Sequence, residues 1–304
     1  MTDIRYTSSR PRHNAEEYKY YCTWILAEKN PPRVFFVVEG ESDRETIEEI
    51  GRRFASPEMM RSVEIRVPEN PGKLGVDEEV LGIQMVVGGR APVQGVIDRD
   101  ADELSKVENW HLIALTDYWD FESTLFIGST GSKRLSVLGA LEQYRESLIE
   151  DALRELPLVG AMRRLNENRR LNLKFRDSSS EFGASVIGNY LSSKIEEKSI
   201  IFSIDQMGLA EQLVKGSYRI DVHELLRSSK ALLDGSDRRT FIHGKDLIGF
   251  FYSAWRVLEH EGIAGKPPKP GEYLRKFRNC FVGSIDEEEL HGLEIGSLVL
   301  RLIN

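Results

Sequence analysis

The 304 residues carry 41 lysines and arginines against 49 acids, a net charge of −8, with a pI near 5.5. That balance excludes a protein that coats nucleic acid non-specifically, because such binding draws on a surplus of cations to neutralise phosphates. It leaves room for an enzyme with local basic patches on an acidic body. Apolar residues make up 40% and charged ones 30% of the chain, the ordinary composition of a soluble globular protein with a core. The N-terminal basic residues are not followed by an apolar run, so no signal peptide is expected. The longest apolar stretch, Ile248 to Leu258, is too short to span a bilayer and contains Ser253 and Arg256. Cys22 and Cys280 are too few and too far apart for a disulfide framework or a zinc site. A cytoplasmic protein is expected.

Residues 1–32 read as a polar arm running into a short helix over Ala15 to Ala27, stopped by Pro31 and Pro32. Val34 to Val38 is an unbroken apolar, β-branched and aromatic run, the pattern of a strand buried on both faces. Beyond Glu39-Gly40-Glu41 the sequence predicts a helix over Ser42 to Phe54, with Ser42 and Glu45 spaced as a capping box. Ser62 to Val67 reads as a second strand, Pro68 to Gly75 as a loop and Asp77 to Val87 as a helix. Val93 to Ile97 is a third strand, ending in Asp98-Arg99-Asp100. A short helix and a fourth strand, His111 to Thr116, follow. Strands alternating with helices predict an α/β fold: a small, mainly parallel sheet flanked by helices on both faces.

From Asp120 onward the pattern is mostly helical, with helical periodicity over Leu135 to Leu156, Ser185 to Ile195 and Lys245 to His260. Asn166 to Phe182 reads as a strand and loop, and Gly262 to Gly271, with three prolines, as a loop before a final small helix. No internal repeat is visible. The expected organisation is an arm and helix over 1–32, an α/β domain over 33–130 and a mostly helical region over 131–304.

The carboxylates carry the chemistry. In parallel sheets, ligand sites lie beyond the carboxyl ends of the strands, and here the first and third strands both end in acids. Glu39 stands at the first strand tip. Gly40 permits a tight turn there, and Asp43 falls in the first turn of the helix that follows. Asp98 and Asp100, two positions apart, share one side if the strand continues. Each acid alone is an ordinary helix-start residue. Together they would repel one another unless a divalent cation neutralised them, and hard oxygen donors of this kind suit Mg2+ or Mn2+. Such an ion polarises phosphate and lowers the pKa of an attacking water.

Phe36-Val-Val-Glu39-Gly40-Glu-Ser-Asp43 and Gly95-Val-Ile-Asp98-Arg-Asp100 resemble the two signature motifs of the TOPRIM fold, shared by topoisomerases, primases and OLD nucleases. Two further pieces, Leu115-Thr-Asp-Tyr-Trp-Asp-Phe-Glu122-Ser and Ile242-His-Gly-Lys245-Asp246-Leu, narrow the likeness. The chain resembles, over about residues 30–260, TOPRIM proteins that accompany ABC-type ATPases in bacterial phage defence, notably the effectors of PARIS-type systems. The resemblance implies Glu39 as general base or metal ligand, and Asp98 and Asp100 as ligands for Mg2+. It implies Asp43 as a ligand for a second ion and Lys245 as a cation steadying the transition state. Glu122 and Asp102 are possible additional site acids. It further implies a toxic nuclease restrained by a partner ATPase, cutting host tRNA, and a homodimer when active. An OLD-type DNA endonuclease and a non-catalytic TOPRIM scaffold for the ATPase are the alternatives.

Gly128-Ser-Thr-Gly-Ser-Lys133 lacks the Walker spacing and follows no buried strand, which excludes ATP hydrolysis by this chain. The six histidines show no zinc spacing. The aromatic residues Tyr18, Tyr20, Tyr21 and Trp24 read as packing. One basic stretch gathers Arg163, Arg164, Arg169, Arg170, Lys174 and Arg176 with Asn166, Asn168 and Asn172, against one acid, Glu167. It is the candidate contact for nucleic acid or a partner, since arginine binds phosphate bidentately. A second basic stretch runs from Lys266 to Arg278.

Overall fold

The computed structural model describes residues 34–88, 91–99, 110–128, 143–175, 186–195, 200–269, 272–273, 277, 282–283 and 285–303. The helix expected at 15–27 and the aromatic residues within it lie outside the described residues. So does Asp102.

Four strands, β1 (Val34–Val38), β2 (Val63–Arg66), β3 (Val93–Ile97) and β4 (Ile113–Leu115), form an all-parallel sheet in the order β2-β1-β3-β4. All five residues of β1 are buried, and their alternation divides them between two faces. Phe35 and Val37 meet Val76, Val80, Ile83 and Val87 of helix α2 (Lys73–Val87). Val34, Phe36 and Val38 meet Ile47 and Ile50 of helix α1 (Glu41–Phe54) on the other side. Each such side chain contributes about 1.5–3 kcal/mol of transfer free energy. At Gly95 an added Cβ would fall 2.9 Å from both Ile113 and Val80, so only glycine lets α2 lie against β3.

The core on the α1 face continues without a break into the second half of the chain. There lie α3 (Phe121–Gly128), α4 (Arg145–Arg169), α5 (Gln206–Val214), α6 (Val222–Leu233), α7 (Gly244–His260), α8 (Glu287–His291) and α9 (Glu294–Ile303). Arg53 on α1 donates to the carbonyls of Val282 and Ile285, stitching the sheet unit to the C-terminal helices. Among the described residues no helix is long and apolar enough to cross a membrane.

Several expectations need correcting. Ser42 and Glu45 form no capping box, because the helix begins a residue earlier. Gly40 is its N-cap, and Asp43 reaches back to the Gly40 amide at 3.0 Å. The loop expected up to Gly75 ends at Gly72, where α2 starts. The helix expected over Ser185 to Ile195 is not found over its described residues, which begin at Val186. A single 3-10 turn, Ile187–Asn189, leads into strand β5 (Leu191–Ile195), which pairs antiparallel with β6 (Ile200–Ile204). Helix α4 does not stop near Leu156 but runs through Pro157 to Arg169, so residues 166–169 are helical.

Candidate functional site

The carboxyl ends of β1 and β3 lie side by side, with Val38 opposite Val96. Glu39 therefore leaves one strand next to Asp98 leaving the other. The Asp98 amide donates to Glu39 Oε1 at 2.7 Å, which orients the glutamate across the strand ends. Asp43, in the first turn of α1, is almost fully buried, and its carboxylate is turned back onto the Gly40 amide. The structure thus gives Asp43 the helix-start role, and the same bond holds the Glu39-Gly40 turn.

Beyond β3, the Thr116 hydroxyl accepts from the Arg99 amide at 3.0 Å and donates to the Tyr118 carbonyl at 2.8 Å. Arg99 Nε closes the ring on the Thr116 carbonyl at 2.9 Å. Glu39, Asp98 and this β4 exit line one edge of the sheet. Asp100, expected to join them, lies outside the described residues. Among the described residues no three His, Cys, Asp or Glu side chains close into a group that could hold a metal ion.

The segment after β4 works as a hub for helix N-termini, whose leading N–H groups need acceptors. Asp120 accepts from the Ser123 amide at 2.8 Å while its own amide donates to Ser123 Oγ at 3.0 Å, a capping box for α3. Its second oxygen accepts from the Gly244 amide at 2.7 Å, seating the start of α7. Asp117 accepts from the amides of Glu294 and Ile295 at 2.7 and 3.0 Å, capping α9 from across the fold. Burial, with the charge of Glu122 second, pushes Asp120 up to about 7. Glu122 is itself buried in the first turn of α3, beside Gly244.

Lys245 is exposed at the start of α7. His243 stands edge-on to Trp119, ring centroids 5.7 Å apart, and its Nδ1 accepts from the Lys245 amide. That bond needs a bare Nδ1, so the ring carries its proton on Nε2. Burial first, then Arg163, and also Lys245, hold its pKa down at about 3, against the pull of Asp246. The imidazole is therefore neutral at any physiological pH.

The structure divides the basic stretch. Arg163 is not a surface contact: it forks onto Asp246 at 2.6 and 2.7 Å and lies over the Phe175 ring. Arg164 is likewise turned inward, over Trp119 and Phe241. Arg169, Arg170 and Lys174 are exposed, and Arg176 lies outside the described residues. Sequence reasoning named Glu122 but missed Asp117, Thr116 and Asp120. For Asp120 the Asp-x-x-Ser spacing up to Ser123 was the available signal; Thr116 and Asp117 stand in the 115–123 segment already singled out, but their partners are distant in the chain.

Comparison with protein-family models, with curated proteins and with solved structures found no match.

Proposed function

We propose that the chain is a TOPRIM-type, Mg2+-dependent nuclease, the toxic effector of a phage-defence system held in check by a partner ABC-type ATPase in the cytoplasm. The observation that carries this reading is the bond between Asp98 and Glu39, which sets the two motif acids side by side beyond adjacent parallel strands. Glu39 and Asp98, with Asp100, would hold one ion, and Asp43 would lend charge for a second. Hard carboxylate oxygens suit Mg2+ or Mn2+. When bound, the ion supplies a polarised phosphate and a water of lowered pKa.

The chain's own residues do the rest. The Asp98 amide fixes the direction of the Glu39 carboxylate, so that it meets the substrate without first reorganising. Gly40 lets a bulky backbone approach the strand tip. Lys245, exposed on the α7 start that Asp120 anchors, is the cation offered to a phosphate. Host tRNA is the favoured substrate, on the resemblance to PARIS-type effectors.

The test is cleavage of total tRNA and of supercoiled DNA by the purified chain, with Mg2+ or with chelator. Cutting of tRNA that requires Mg2+ and is lost in Glu39→Gln supports the proposal. Glutamine keeps an oxygen for the Asp98 amide and removes only the charge. Cutting of DNA with tRNA intact returns the OLD-type endonuclease, and Glu39→Gln cutting at the wild-type rate removes the site.

A further inference from the structure

We propose that the end of α4 and the loop after α5 together form a binding surface for single-stranded RNA, with Tyr218 as its stacking platform. The inference rests on the reading that the chain acts on nucleic acid. It concerns residues 169–174 and 215–219, which the sequence separates and the fold joins.

Three bonds do the joining. The Ser217 hydroxyl donates to the Leu171 carbonyl at 2.7 Å, the Arg219 guanidinium donates to the Arg170 carbonyl, and the Lys174 amide donates to the Leu213 carbonyl at 3.3 Å. Lys174 Nζ lies against Gly216, 3.6 Å from where a Cβ would stand. The result gathers Arg169, Arg170, Lys174, Lys215 and Arg219, all exposed, around Tyr218. Tyr218 is fully exposed, the most exposed of the large apolar or aromatic side chains described. Exposed acids flank the patch: Glu167 and Asp221 beside it in the chain, and Glu224, 3.8 Å from Arg169 with both side chains about half exposed. Such an exposed pair is screened by solvent and weak, so Arg169 can exchange its carboxylate for a phosphate at little cost.

Five cations on a chain of net charge −8 mark a local site for phosphates. A fully exposed phenol ring between them has an open face, which a base can cover only if it is unstacked. Duplexes hide their bases, whereas single strands splay them out, so a single strand uses both features, and RNA is the strand that the proposed function supplies. The backbone adds a third. Arg170 sits in the left-handed region at φ 51, in the helix-ending place where glycine fits without cost. An arginine there keeps its charge at the expense of local strain.

The test is fluorescence anisotropy of a labelled 20-nucleotide RNA lacking secondary structure, with the Glu39→Gln chain in chelator. Binding is then read without cleavage, and its outcome is independent of whether the chain cuts. Tyr218→Ala should weaken binding about tenfold, the worth of one stacked base. Lys174→Gln with Lys215→Gln should weaken it further and flatten the salt slope by about 1.4, at about 0.7 per phosphate contact. Arg170→Gly should lose affinity without losing thermal stability, which a purely structural arginine would not do. Lys266→Gln with Lys269→Gln, on the other basic stretch, should change nothing. Wild-type affinity in the Tyr218 and paired lysine variants overturns the surface. Equal binding of a DNA strand of the same sequence, with equal response to the variants, overturns the assignment to RNA.

Discussion

Asp120 and Gly244 stand 124 positions apart in the chain, and a 2.7 Å hydrogen bond from the glycine amide to the aspartate carboxylate joins them. The contact is close on both sides. A Cβ at Gly244 would lie 2.5 Å from Asp120 Oδ1 and 2.6 Å from the Glu122 Cβ. Alanine in place of glycine in an exposed helix normally gains up to about 1 kcal/mol. Here the methyl group has no room, so Gly244→Ala should destabilise the fold by about 1–3 kcal/mol, as overpacking does. A melting temperature equal to or above wild type would show that the α7 start is not held against this loop.

The same aspartate makes stability depend on pH. Burial and Glu122 raise its pKa from 3.8 to about 7, so between those values the folded state binds a proton that the unfolded state has released. Stability from this group is fully present below about pH 4 and is lost as pH rises through about 7. Asp120→Asn cannot ionise. It gives up one acceptor and starts at a disadvantage, but its stability relative to wild type should improve steadily from pH 4 to pH 8. Urea denaturation across that range measures the difference. A constant difference at all pH values would mean that Asp120 titrates as an ordinary carboxyl.

Asp117 offers a separate handle, because it caps α9 without belonging to it. Asp117→Ala leaves two leading amides of that helix without their acceptor and should cost about 1 kcal/mol, within the usual range for a lost cap. In a chain of this length that is a fall of about 2 °C in melting temperature. Limited proteolysis should find the C-terminal helix first. Protease resistance like that of wild type would place the anchoring of α9 in its apolar contacts alone.

What was legible in the sequence follows from how local each signal is. Five consecutive apolar residues in β1, and a glutamate and an aspartate at two strand tips, need no distant partner to be recognised. The reading of Ser185 to Ile195 failed because Val186, Ile187, Tyr190 and Leu191 have helical spacing. The decisive pairing of Leu191 with Ile204 is tertiary. Helix α4 was cut short at Pro157, yet the burial of Leu156, Leu158, Val159 and Met162 carries it past the missing N–H. The inward arginines deceived for a similar reason. A run of basic residues looks like a surface until Arg163 is found forked onto Asp246 of α7, 83 positions away, and Arg164 lying over Trp119 and Phe241.

The metal binding proposed for the strand-end acids has a readout that needs no substrate. A ligand that binds only the folded state raises its melting temperature. Mg2+ or Mn2+ should therefore stabilise the wild-type chain and leave Glu39→Gln and Asp98→Asn unmoved. In chelator, both variants should melt at or above wild type, since each removes a negative charge where the tips of two adjacent strands both end in an acid. A thermal shift with Mg2+ that survives both substitutions would put the ion elsewhere.

Arg163 distinguishes a structural cation from a nucleic-acid contact. Its guanidinium meets both oxygens of Asp246, which is 1% exposed, and the Phe175 ring covers it at 4.3 Å. Removing one partner of a buried pair leaves a charge without compensation, so Arg163→Met should cost about 3–5 kcal/mol. Removing both is a different matter. Arg163→Met with Asp246→Leu replaces two desolvated charges by apolar groups and should recover most of that loss. The two substitutions are then strongly non-additive, as expected of residues in direct contact. Denaturant melts of the two single variants and the double variant complete the cycle. RNA affinity, measured where each variant is still folded, should stay at the wild-type value with an unchanged salt slope, because this arginine faces a carboxylate rather than a phosphate. Additive stabilities, or a salt slope that flattens in Arg163→Met, would return Arg163 to the binding surface.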